Sequence, residues 1–156
     1  MVVGIAATMS VSALVFFKAT DESNKVSMEA KNVATLASGI ANIFSGQGHY
    51  TGLNNAVVLS SNVLPSSMRG PGATDMKHSW KSNGINLSSE QLVSGSYDDV
   101  FVITYDSVPD KSCVDLISKT YIPFLSVLVN GNLISSVVDI PPACNLGNAN
   151  VLVWKR

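Results

Sequence analysis

The sequence predicts an α+β fold: one long N-terminal helix packed on an antiparallel sheet of about four strands, with a disulfide near the C-terminus. The helical pattern over residues 1–45 is not interrupted by proline. From Val100 onward, β-branched and aromatic runs alternate with turn signals. The only cysteines, Cys113 and Cys144, both fall in the last third of the chain.

The helix begins in an apolar stretch. Met1 to Phe17 contains no charge, no proline and a single glycine. A signal peptide would place basic residues first and a small-x-small cleavage site after the apolar run. Here no basic residue precedes it, and Lys18-Ala19-Thr20-Asp21 leads into more helix. As a helix the stretch spans roughly 26 Å, slightly short of the ~30 Å hydrocarbon core of a bilayer. The shortfall predicts further apolar residues before Met1. Val2, Val3, Gly4, Ile5, Ala6, Ala7, Met9, Val11, Ala13, Leu14, Phe16 and Phe17 supply the apolar surface. The small residues Ala6, Ala7, Ser10 and Ala13 permit close helix approach, although an ordinary lipid-facing helix can carry them too. Gly4 is a point where the helix can bend, or a tolerated glycine.

The second half of the helix is amphipathic. Val26, Ala30, Val33, Ala37, Ile40 and Phe44 recur at intervals of 4, 3, 4, 3 and 4, an apolar stripe for packing against a sheet. Lys18, Lys25 and Lys31 are interleaved with Asp21, Glu22 and Glu29, which reads as a solvated or salt-bridged face. Gly46-Gln47-Gly48 supplies the stop. A helix of ~45 residues is about 68 Å long, too long to fit within a domain of this size. The front half, 1–17, therefore protrudes, and 18–45 is where a globular domain docks.

Residues 46–98 read as a long, partly structured loop with one short helix at Asn54–Ser60. Residues 99–156 hold the sheet. Val100-Phe101-Val102-Ile103-Thr104-Tyr105 is a strand signal, and a helix from Pro109 turns Cys113, Leu116 and Ile117 to one face. Leu125–Val129 and Leu133–Val138 flank Asn130-Gly131 as a hairpin. Pro141-Pro142 breaks the chain before Cys144, and Asn150–Trp154 is a last strand.

Several function classes drop out. Charged residues make up 13% and the hydrophobic set 46%, too apolar for disorder. Net charge is -1 with no run of like charge, so no basic groove for nucleic acid is present. His49 reads as a surface or capping residue, and no carboxylate or serine is spaced to make His78 catalytic. Asp98-Asp99 reads as a solvated loop rather than a cation site. Two cysteines cannot make a structural zinc site alone. Behind an apolar N-terminus, a disulfide outside the cytoplasm is the better reading, with two buried thiols as the alternative. The chain offers no catalytic residue, no cofactor site and no metal site.

Met1-Val2-Val3-Gly4-Ile5-Ala6 resembles the apolar segment that follows the leader cleavage site of type IV pilins. Gly46-Gln47-Gly48-His49-Tyr50-Thr51-Gly52-Leu53, with Val57-Val58-Leu59 and Leu64-Pro65, is similar to the start of the αβ-loop in the type IVb subclass of enterobacterial bundle-forming and plasmid thin pili. Cys113 and Cys144 occupy the place of that family's C-terminal disulfide. The resemblance implies a major pilin, a homopolymer of identical subunits used for adhesion, aggregation or mating-pair contact. It implies a precursor held in the inner membrane of a Gram-negative bacterium, facing the periplasm, and stacked by pilus assembly machinery into an extracellular filament. The family carries a glutamate near its mature N-terminus. Up to Lys31 the chain has only Glu22 and Glu29, both past the apolar stretch, so either that glutamate precedes Met1 or this subunit lacks the contact. A minor pilin or pseudopilin, and a membrane-anchored periplasmic binding module, are the alternative readings.

Overall fold

The computed structural model describes residues 3–92 and 97–156, and for residues 3–19 the helical backbone alone. The side chains expected to pack a filament core, from Val2 to Phe17, lie outside the described residues, as does the role of Gly4. Among the described residues, no helix is long and apolar enough to cross a membrane.

Helix α1 runs from Val3 to Phe44, about 63 Å at the standard rise. It stops at the predicted glycines. The Gln47 and Gly48 amides both donate to the Phe44 carbonyl, at 3.0 and 3.3 Å. Gly48 has φ +70°, the left-handed turn that satisfies orphan carbonyls at a helix end. On the inner face Val26, Val33, Ala37, Ile40 and Phe44 are buried, and Ala30 is partly buried. Leu36 is buried beside them, and so are two polar residues, Glu29 and Asn32.

Helix α2 (Asn55–Ser60) is capped by Asn54, whose side chain accepts from the Val57 amide at 3.1 Å. Among the described residues the sheet contains six antiparallel strands: β1 (Met76–His78), β2 (Lys81–Glu90), β3 (Val100–Val108), β4 (Ser126–Val129), β5 (Asn132–Leu133) and β6 (Asn150–Lys155). Their order across the sheet is β1-β2-β3-β6-β4-β5. The register places Ile85 opposite Tyr105, and Trp154 between Ile103 and Val127. Helix α3 (Asp110–Thr120) buries Cys113, Leu116, Ile117 and Thr120 and packs beside α1. Helix α4 (Ile140–Ala143) precedes the second cysteine.

Three expectations need correction. The stretch read as loop contains β1 and β2. Polar β2 forms because β3 supplies a full antiparallel ladder from Ile85 to Glu90. The second hairpin strand, expected over Leu133–Val138, is only Asn132–Leu133. Asp139 accepts from the Ser135 and Ser136 amides at 3.1 and 2.8 Å, and this capping box winds Val137–Asp139 into a 3-10 turn. Pro141 and Pro142 occupy the first turn of α4, where a missing amide hydrogen is harmless, so they start a helix rather than break the chain.

Candidate functional site

The place where the head grips α1 is built on two glutamates of the helix. Glu22, Val26, Glu29, Val33, Leu36 and Ile40 follow one another at steps of 4, 3, 4, 3 and 4, so both acids lie on the docking stripe. Glu29 is 1% exposed. Its Oε1 accepts from the Ser79 amide at 2.9 Å and the Ser79 hydroxyl at 2.7 Å. Its Oε2 accepts from Asn32 at 3.2 Å and the Tyr105 hydroxyl at 3.3 Å. No Lys, Arg or His forms a salt bridge with Glu29 among the described residues. A buried carboxylate without a counter-ion is tolerable only when donors surround it, and here four do.

Seven residues earlier, Glu22 Oε1 accepts from the Trp80 indole at 2.6 Å and from the Ser112 hydroxyl. The β1–β2 turn, Ser79-Trp80, therefore clasps the helix at two points, and α3 joins through Ser112. On the outer side Lys25 pairs with Asp21 at 2.7 Å. Lys25 also reaches Glu22 Oε2 at 3.8 Å, so the solvated or salt-bridged reading holds for Asp21, Lys25 and in part Glu22, but not for buried Glu29. The signal that could have revealed the two glutamates is their spacing, since 22 and 29 continue the phase of Val26 and Val33.

His78 braces the turn. Its Nδ1 accepts from the Trp80 amide at 3.2 Å, so its Nε2 hydrogen donates to the Asp106 carbonyl at 2.9 Å. The ring stacks on Tyr105, with centroids 4.9 Å apart. A β-carbon at Gly84 would collide with this imidazole, so the strand needs glycine there. Burial pushes the His78 pKa below its ordinary value, outweighing the Asp106 carbonyl and the charges of Glu29 and Asp106. Burial first, then Glu29, pushes the Tyr105 phenol well above its ordinary value. The ring stays neutral and the phenol stays a donor. Trp80 is half-buried in this cluster.

The far end of the head is tied by the disulfide. Cys113 of α3 bonds Cys144, the residue after α4, with Cα atoms 5.9 Å apart. Beside it Asn150 is fully buried. Its amide donates to the Val108 carbonyl at 2.9 Å and to Asp110 at 2.7 Å, and its oxygen accepts from Asn130 at 2.8 Å. This hub of the disulfide-bounded region was not anticipated, because an asparagine at a strand start carries no sequence signal of burial. His49 stacks on Tyr97 at 4.6 Å. Asp98 accepts from Ser89, and Asp99 accepts from the Leu92 amide, each at 2.8 Å. Among the described residues no group of His, Cys, Asp or Glu could hold a metal ion. These bonds hold a head in fixed register on a helix.

Comparison with known proteins gives the same architecture. The profile of the family described as PilS N terminal matches residues 23–155. The major structural subunit of the bundle-forming pilus of Escherichia coli O127:H6 is 26% identical over 69 residues, and that of Escherichia coli O111:H- matches equally. The match spans 44% of this chain and only 36% of either relative's length. TcpA, a type IV pilin from Vibrio cholerae El Tor biotype, superposes with a TM-score of 0.64 at 10% identity, covering 85% of this chain and 99% of that one. The type IV b pilin of Salmonella typhi gives 0.65 at 20% identity, covering 82% and 97%. At these identities the two structures speak for the fold alone.

Proposed function

Because the chain belongs to the PilS N-terminal family, we propose that it is a structural subunit of a type IV pilus, the major pilin of a homopolymeric filament. The observation that carries this reading is the division of α1. The helix is continuous over Val3–Phe44, and from Glu22 onward it is bonded to the head, Glu22 itself accepting from Trp80 and Ser112. The segment ahead of Glu22 is the apolar one, so the helix is a stalk with its oily end leading.

Before assembly the stalk lies in the inner membrane, where a helix satisfies its own backbone. Leaving lipid for water would cost ~1.5–3 kcal/mol for each large apolar side chain exposed. Packing against identical stalks replaces lipid with protein and avoids most of that cost. Assembly machinery lifts each subunit into the growing filament, and the finished filament serves adhesion, aggregation or mating-pair contact outside the cell. The role is structural, and no enzymatic step enters it. The test is electron microscopy of sheared surface material, with the filament protein matched to this chain by mass. Intact chains found only as single molecules would overturn the reading.

A further inference from the structure

We propose that the head carries a binding site for uncharged sugars: a polar dish beside α2 and β2 in which Asn83, Asn86 and Asp75 hold the ring hydroxyls of a neutral pyranoside. The site deepens the adhesive reading above and rests on the filament only for its avidity.

The dish, about 360 Å³, opens where the start of α2 meets the outer edge of β2. Asn54, Asn55, Thr74, Asp75, Asn83 and Asn86 line it. Its wall is fixed from within. β1 pairs with β2 only between Lys81 and Ile85, so past that point the outer edge of β2 has no strand partner among the described residues. The Asn55 amide takes that place. It donates to the Ile85 carbonyl at 2.9 Å and accepts from the Leu87 amide at 2.8 Å. It also donates to the Thr74 carbonyl at 3.3 Å. Asn54 is occupied in capping α2, accepting from the Val57 amide at 3.1 Å and donating to the Gly52 carbonyl at 3.0 Å. A wall set before the ligand arrives loses little freedom on binding.

The groups left open stand at the mouth. Asn83 and Asn86 are exposed, and their side chains make no hydrogen bond among the described residues. Asp75 accepts from the Gly72 amide on Oδ2 at 3.1 Å, which leaves Oδ1 as an acceptor. Each carboxamide offers an oxygen acceptor and two N–H donors in one plane, and the hydroxyls on neighbouring ring carbons of a pyranose both donate and accept. The lining also selects against other ligands. No Lys, Arg or His lines the dish, so an anionic ligand would face Asp75 with no counter-charge. No aromatic or large aliphatic side chain lines it, so an apolar ligand finds nothing to bury against. What fits is neutral and rich in hydroxyls.

Placement gives the site its use. Ile85 and Leu87 belong to the core shared with α1, so Asn86 between them points to the opposite face of the sheet. Stalks packed along a filament axis turn that face outward, toward whatever surface the filament touches. A shallow dish of this kind binds one sugar weakly. A homopolymer repeats it on every copy, and linked sites exceed a single affinity by ~10²–10⁴-fold.

The test is retention of sheared wild-type filaments on polymer surfaces bearing glucosyl, galactosyl, mannosyl or N-acetylglucosaminyl groups, with bare and sialylated polymer alongside. Retention is expected on at least one neutral surface and on neither control. Asn83→Ala and Asn86→Ala together should lower it ~tenfold. Filament yield and melting should not change, because neither amide is bonded among the described residues. Filaments that no neutral surface retains, that sialylated polymer retains as well, or that adhere equally in the double variant would overturn the proposal. A second arm reads the site without the fibre: saturation-transfer NMR of the full-length chain, in a detergent without a sugar headgroup, with the methyl glycosides of the same four sugars. Sugar signals in wild type that the double variant loses are expected. Their absence refutes the site whether or not fibres form. If they appear and no fibre forms, the filament reading fails and the site stands.

Discussion

Glu29 shows how one residue can govern the join between helix and head. Its carboxylate is buried and meets no cation among the described residues, so its stability depends on Ser79, Asn32 and Tyr105. Glu29→Gln removes the charge and turns an amide donor toward groups that are themselves donors. The expected cost is about 1–3 kcal/mol, read by denaturant unfolding. An unchanged midpoint would mean that the clasp contributes nothing. This residue was legible only in part: its identity suggested solvent, and its spacing, in phase with Val26 and Val33, pointed inward. His78 carries a second expectation. Burial lowers its folded pKa below the ordinary 6.5, so as pH falls the unfolded chain takes up the proton first. Its contribution to stability is therefore complete above about 6.5 and is lost as pH falls through the folded value. Tyr105, Trp80, Lys81, Asp106 and Glu29 surround the ring. The measurement is the difference in unfolding free energy between wild type and His78→Gln across pH 5 to 8. That difference should shrink toward acid, and parallel curves would sink the assignment.

Elements differ in how clearly they announce themselves. β3 was plain because each residue from Val100 to Tyr105 favours a strand on its own. β2, with the sequence Lys-Ser-Asn-Gly-Ile-Asn-Leu-Ser-Ser-Glu, was not, because only Ile85 and Leu87 mark its buried face. It is a strand by partnership, and partnership is a tertiary fact. β5 failed the other way: Leu133, Val137 and Val138 suit a strand, but the Asp139 capping box ends it, and all three side chains stay exposed. The disulfide lies between these extremes, since the two cysteines were visible and the α3-to-α4 tether is what folding adds. Cys113→Ser should cost ~3–4 kcal/mol for a loop of this length. Melting with and without reductant measures it, and identical transitions would show that the tether adds no stability. The neighbouring Asn150 hub holds Val108 and Asp110 by hydrogen bonds. Loss of the bridge should therefore loosen α4 before it unfolds the sheet.

At the scale of the whole molecule the chain behaves as two parts sharing one helix. The head holds α1 from Glu22 to Phe44, about 34 Å of it, and ahead of it lies Met1–Phe17, whose lack of charge was evident in the sequence. The head and the second half of α1 share a core of Ile103, Tyr105, Leu116, Trp154 and their neighbours. In the proposed filament the leading segment, uncharged from Met1 to Phe17, exchanges lipid for copies of itself. Bulk at a small-residue position should separate the two parts. Ala6→Phe or Ala13→Phe adds a ring where close helix approach needs a methyl group. Lipid yields around an extra ring, so such variants should reach the membrane at normal levels. A packed bundle of identical helices does not yield, so filaments should become scarce on the cell surface. The same head, produced without its first ~20 residues, should melt as the wild-type head does, because neither alanine lies within it. Normal piliation with both substitutions would show that the stalks do not pack closely and that contacts between heads carry the polymer.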